Sequence, residues 1–400
     1  MQGRRITALL LTAFLVAQLL WRWQYGAIAP ASSLDSGWSE VASGAYVASG
    51  DFLVPEAQGQ VLRHSGQGWV QAGPSWHAKW SGLEVDVFGQ GSGLIAVART
   101  KAGTKILPRY GGGFLLRDPQ QNLWLVQRER VKLLLGGGQG PDGRQAFMDR
   151  AASLRQQGAV PAGWQPVWAA EPLPVGDAVW YISNRDGQPG VTAPHVFRLQ
   201  GKEDGPFTAL TPLGNLRLLT VDAKAVVAAD ATGTLLRIDQ ASGTVLLRRT
   251  DLLVLASGAD GRLAVLHSVP VGKPALEVTS DGLQTMAGVQ LAKSVQPMGD
   301  ASFSLHGHWL AFLARGAQGL VVEVARLNGG AALQTQSITP PAGTQIDPSL
   351  PVSVCNGVLY LSTRQGKRVE TWSRPLGPGT PLAFADILQW TRDRDRAWHG

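Results

Sequence analysis

After residue 31 the chain alternates short apolar runs with turn-forming residues. GLIAVAR at 93–99, GFLLRD at 113–118, LWLVQRE at 123–129 and VWYISN at 179–184 are early examples. AVVAAD at 225–230, TLLRID at 234–239, TVLLRR at 244–249 and RLAVLHS at 262–268 continue the series. HWLAFLAR at 308–315, GLVVEVARL at 319–327 and GVLYLSTR at 357–364 complete it. Each run is rich in β-branched, leucine or aromatic residues and is bounded by Gly, Asp, Asn or Pro, which predicts strands. Two segments break the rhythm. In 140–158, Phe147, Ala151 and Leu154 recur at helical spacing, and Phe384, Ile387, Leu388 and Thr391 do so near the C-terminus. Each predicts a short helix.

The strands also repeat. YISNRDG at 181–187, LHSVPVG at 266–272, FLARGAQG at 312–319 and YLSTRQG at 360–366 each close a strand on a glycine turn, and VARTKAG at 97–103 aligns with them. Within this set Ser183, Asn184, Arg185, Asp186 and Gly187 form the best-preserved hairpin turn, with Asp-Gly suited to positive φ. A four-stranded meander cannot bury both faces alone, and radial packing of such units solves the problem. At about 45 residues per unit the expectation is an all-β, seven-bladed β-propeller, with six or eight blades also fitting the length. The expected boundaries are 1–31 for a signal segment, 38–380 for the propeller and 381–400 for a helical, charged tail.

Composition agrees with this picture. Charged residues make up 16% of the chain against about 25% for average domains, so long charged helices are not expected. The net charge of +7 is diffuse, without a basic run or interleaved aromatics, which argues against nucleic acid. A single cysteine, Cys355, excludes an internal disulfide and reads as a small buried hydrophobe.

The N-terminal segment bears on compartment. Arg4 and Arg5 precede an apolar run to Leu20, followed by Trp21, Trp23 and Tyr25. Interfacial aromatics and inside arginines point to a membrane-anchor helix. The short run and the AIA at 27–29 point instead to a cleaved signal. Both readings place the body outside the cytoplasm.

The stretch QPVWAAEPLPVGDAVWYISNRDG at 165–187 resembles a TolB-like β-propeller repeat, through Pro166, Trp168, Gly176, the strand at 181–183 and Arg185-Asp186-Gly187. AAEPLPVG stands where the family carries S-P-D-G. LLRIDQASGTVLLRR at 235–249 is similar to a quinoprotein-type propeller repeat. The resemblance covers one or two blades and implies architecture, with family members outside the cytoplasm serving mostly as binding platforms.

Candidate chemistry is sparse. GQGPDG at 138–143 fits a dinucleotide glycine pattern but lacks the second strand and acidic residue that the motif requires, so it reads as a turn. HGHW at 306–309 pairs two histidines without a third ligand. Trp69, Trp76 and Trp80 lie close in sequence and suggest either blade packing or carbohydrate stacking. No catalytic, metal-ligating or cofactor-binding residue is nominated, and no cofactor is expected. The expected function is a non-catalytic binding platform in the cell envelope, membrane-tethered or secreted, with an envelope protein or wall polymer as partner. The alternative is a propeller enzyme acting on glycans or peptides at the channel mouth.

Overall fold

A computed structural model describes residues 37–376 except 58, 66–67, 81–82, 101–102, 119, 121, 128–129, 137–151, 154–155, 157–170, 184–194, 211–212, 231, 258–260, 268–274, 291–295, 298–302, 307–308, 317–318 and 327–332. The described residues form an all-β propeller of eight sheets, each built on a four-stranded antiparallel meander. Blades 1 to 4 begin at Tyr46, Trp76, Arg109 and Leu173; blades 5 and 6 begin at Arg217 and Leu252. Blades 7 and 8 begin at Gln296 and Gln345. Blades 1 and 2 each occupy only about 30 residues, shorter than the ~45 assumed per unit. That compactness makes room for eight blades where the average spacing gives seven.

The last blade is completed from the other end of the chain. Ser39–Ser43 pairs antiparallel with Arg368–Pro375, from Ser39 opposite Ser373 to Ser43 opposite Glu370. Two-faced burial follows from the radial arrangement. Phe114, Leu116 and Val126 of blade 3 pack toward blade 2, while Leu115 and Leu125 pack toward blade 4. Eight such apolar clusters fill the eight gaps between blades, including the one between blades 8 and 1. Central strands such as Ala178–Ser183 and Ala225–Ala229 are therefore buried at every position. This is why they read as continuous apolar runs rather than alternating ones.

First strands of neighbouring blades touch, and hydroxyls satisfy their open edges. Ser353 Oγ accepts from the Ala48 amide at 3.2 Å, and Ser304 Oγ accepts from the Val354 amide at 3.0 Å.

Four of the aligned repeats, those containing Tyr181, Leu266, Phe312 and Tyr360, occupy the second strand of their blades. VARTKAG differs. It ends the third strand of blade 2, Ile95–Thr100, so its glycine turn leads to the fourth strand. In the 140–158 segment Ala152, Ser153 and Gln156 are helical and the remaining residues lie outside the described set. The C-terminal tail, Arg4, Arg5, Trp21 and Trp23 lie outside it as well. Among the described residues no helix is long and apolar enough to cross a membrane.

Candidate functional site

The junction between blades 1 and 2 differs from that between blades 3 and 4. Between blades 3 and 4 like ends of the second strands meet: Arg117 Nη1 at the end of one donates to Ile182 O near the end of the next, at 3.1 Å. Between blades 1 and 2, Phe52 begins its strand Phe52–Pro55, yet it packs on Phe88, which ends Leu83–Phe88. Their ring centroids are 6.3 Å apart. At the far end of the same junction, Thr104 donates its amide to Glu56 O at 3.1 Å and its hydroxyl to Ala57 O at 3.0 Å.

Turns from opposite ends of two blades thus meet, and a cleft of about 250 Å³ opens between them. Phe52, Leu94 and Ile95 supply apolar surface, and Asp51 and Arg109 supply opposite charges at the walls. Asp51 sits in the exposed turn after Tyr46–Ser49, and its carboxylate has no ion pair among the described residues. Arg109 is held at the rim by donating to Gly91 O at 3.1 Å. The turn opposite Asp51 needs glycine. Gly89 has φ +86°, and a Cβ there would stand 2.5 Å from Gly93 O.

Along blade 2 a polar row continues from the cleft. Asp86, in the strand that ends at Phe88, accepts from His77 Nδ1 at 2.7 Å and from Arg99 Nε at 3.0 Å. Arg99 Nη1 reaches across to Gly59 O of blade 1 at 2.8 Å. Lys79 pairs with Glu84 in the same hairpin. Asp86 is 8% exposed, whereas the His77 side chain is 46% exposed. A buried aspartate bound at Nδ1 holds the ring in one orientation and leaves Nε2 outward.

None of these residues was nominated from the sequence. The signal was present in WHAKWSGLEVDVF at 76–88, where His77 and Lys79 alternate with apolar residues and Glu84 and Asp86 do the same. Pairing of Trp76–Trp80 with Leu83–Phe88 sets His77 opposite Asp86 and Lys79 opposite Glu84. Reading acidic residues singly along the chain hides a cross-strand pair.

The nominated residues fall elsewhere. Ser183 ends Ala178–Ser183, buried and opposite His195, while Asn184, Arg185, Asp186 and Gly187 lie outside the described residues. GQGPDG at 138–143 lies outside them too. His306 ends the short strand Ser304–His306, and His308 is not among the described residues. Trp69 and Trp76 are separated by the fold, and Trp80 shares the strand Trp76–Trp80. Trp69 stands edge-on to Tyr360 of blade 8 at 6.2 Å, whereas Trp76 packs into the gap between blades 2 and 3. Trp69 and Trp76 share no stacking surface, because Trp69 ends up on the fourth strand of one blade and Trp76 on the first strand of the next. Cys355 is buried, and that burial pushes its thiol pKa up. Among the described residues no group of three or more His, Cys, Asp or Glu could hold a metal ion.

No family model and no curated protein sequence matches the chain. Solved structures similar to it include BamB from Moraxella catarrhalis, at 17% identity and TM-score 0.39, covering 84% of this chain and 99% of that one. A computationally designed protein, Ika8, matches at 12% identity and TM-score 0.41, covering 85% and 98%. A puromycin-hydrolysing peptidase from Mycobacterium tuberculosis matches at 12% and 0.39, covering 83% of this chain and 53% of that one. The eight-bladed assignment rests on the strand pairing itself.

Proposed function

We propose that the chain is a non-catalytic binding platform of the cell envelope, with TolB-like repeats, exposed on the extracytoplasmic side and tethered or released according to the fate of residues 1–31. The cleft between blades 1 and 2 carries this reading. An apolar floor between a guanidinium and a carboxylate without an ion pair among the described residues suits a protein segment that brings both charge signs and a side chain to bury. A photo-crosslinking residue at Leu94, introduced into the full-length chain in its native membranes, is expected to give one discrete adduct. That adduct should fade in Asp51→Asn, whose carboxylate supports no described contact, and persist when the crosslinker is accompanied by Lys224→Ala on blade 5. An adduct indifferent to Asp51→Asn would overturn the site assignment. Protease added outside intact cells should remove a C-terminal tag; a protected tag would overturn the location.

A propeller enzyme is the second reading, favoured by the His77–Asp86 pair. An oriented imidazole with an outward Nε2 is the arrangement of a general base. Binding is preferred because Arg99 already neutralises Asp86 and anchors it to blade 1, a structural use for the same carboxylate.

A further inference from the structure

The outermost strand of each blade presents an unpaired edge, and the molecule itself shows how one such edge is covered. In blade 6 the fourth strand, Ala287–Gln290, is joined by a fifth, Leu333–Gln334, delivered from blade 7. The two run parallel, with Val289 opposite Leu333 and Gln290 opposite Gln334. An extended segment is therefore a stable occupant of a blade edge in this protein.

Neighbouring blade 5 has no such cover. Its fourth strand, Val245–Arg249, pairs only with Leu235–Asp239 among the described residues. Its exposure alternates, with Leu246 and Arg248 outward. Leu246 is 55% exposed, more than the other outward-facing large hydrophobics Val70 and Leu133, which also lie on fourth strands. Arg249 is tied to Asp251 by two hydrogen bonds of 3.0 and 3.1 Å. Arg248 makes no ion pair with a described residue, so its charge is available.

We propose that Val245–Arg249 takes up an extended acidic peptide of a partner protein as a fifth strand. Backbone pairing supplies the affinity, and side chains two apart on one face supply the specificity. The peptide places an apolar residue beside Leu246 and a carboxylate beside Arg248. Two consecutive arginines on the edge, on a chain of net charge +7, oppose pairing with a second copy. This inference is independent of the cleft between blades 1 and 2.

The test uses the full chain and a short, end-blocked fluorescent peptide of the repeat Val-Thr-Glu-Thr, which sets valine and glutamate two apart on one face. Anisotropy should report saturable binding that Arg248→Glu weakens by roughly tenfold or more, the size of a lost charge-assisted contact. A lysine version of the peptide should bind Arg248→Glu better than it binds the unaltered chain. Hydrogen exchange should slow at the amides of 245–249 when the glutamate peptide is added. Protection at 130–135 or elsewhere instead, or equal binding of both peptides to the unaltered chain, would overturn the proposal. So would unchanged binding by Arg248→Glu.

Discussion

The junction between blades 5 and 6 and the junction between blades 8 and 1 perform the same task with different chemistry. In the first, Arg237, only 4% exposed, donates to Asp222 at 2.7 Å and to the carbonyls of Asp281 and Gly282 at 2.9 and 3.0 Å. Gly282 is required there, because its φ is +66° and a Cβ would collide with the guanidinium. The aspartates at these turns also bond their own loops. Asp222 accepts from the Lys224 and Ala225 amides, and Asp239 accepts from Ala241 and Ser242. Such Asx turns are local, and the one at Asp239 is written in the sequence as Asp-Gln-Ala-Ser-Gly at 239–243.

At the ring closure the buried bonding groups are neutral hydroxyls, and the one ion pair between the chain ends among the described residues, Arg368 with Glu40 at 3.4 Å, is exposed. Thr371, fully buried, donates to Gly44 O at 2.7 Å and accepts from the Tyr46 amide at 3.2 Å. Ser362 Oγ lies 2.9 Å from it and completes the set. The Thr371–Tyr46 partners are 325 residues apart in sequence. A charge can anchor a junction whose turns are already shaped by short-range bonds. Where two chain ends meet, small hydroxyls satisfy the buried edge amides without the desolvation cost of burying a charge.

Breaking the charged junction should have the largest effect. Arg237→Leu strands Asp222 and two carbonyls and is expected to cost about 3 kcal/mol. A urea midpoint unchanged from the parent would show that the pair is incidental, and Asp222→Asn in the same background should recover part of the loss. Thr371→Val keeps the shape but leaves Gly44 O without its bond and the Tyr46 amide with only the 3.4 Å contact to Ser362 Oγ, at about 2 kcal/mol. Hydrogen exchange should then accelerate in 39–49 before it does so in blade 5; uniform acceleration would mean that ring closure is not a separate weak point. Ser304→Ala removes one acceptor from the Val354 amide and should lower stability by about 1 kcal/mol, read by the same denaturation.

The smallest expected effect concerns pH. Hydrogen bonds from the Ser349 hydroxyl and amide, with the Arg364 guanidinium, pull the Asp347 carboxyl down to about 2. A carboxyl lowered in the folded state favours folding above its unfolded value, and that contribution disappears as pH falls through the folded value. Asp347→Asn should therefore flatten the acid limb of the stability curve between about pH 4 and pH 2 and leave its slope near pH 7 alone. An identical acid limb in parent and variant would remove Asp347 from the account.

Strand content was legible because a strand buried on both faces cannot avoid being apolar throughout. Gly113–Arg117, Ala225–Ala229 and Val358–Gln365 were each visible from composition and flanking turns. The more polar strands Ser39–Ser43, Leu62–His64 and Trp76–Trp80 were not, since their apolar content is interrupted and their partners are elsewhere. Blade number depended on that difference: the short early blades carry the weakest patterns. The candidate site was hidden for the same reason, because His77 and Asp86 become a pair only once the first hairpin of blade 2 forms.

By itself the sequence determined an all-β repeat, its turn chemistry and its double-sided core, all of which follow from interactions within a few residues or from the burial that each strand demands. Tertiary structure decided what depends on distant partners. It set the count of eight, the strand exchanged from Ser39–Ser43 into the last blade, and the out-of-step meeting of blades 1 and 2 that opens the cleft. Those outcomes rest on which surfaces meet, and no local pattern encodes that.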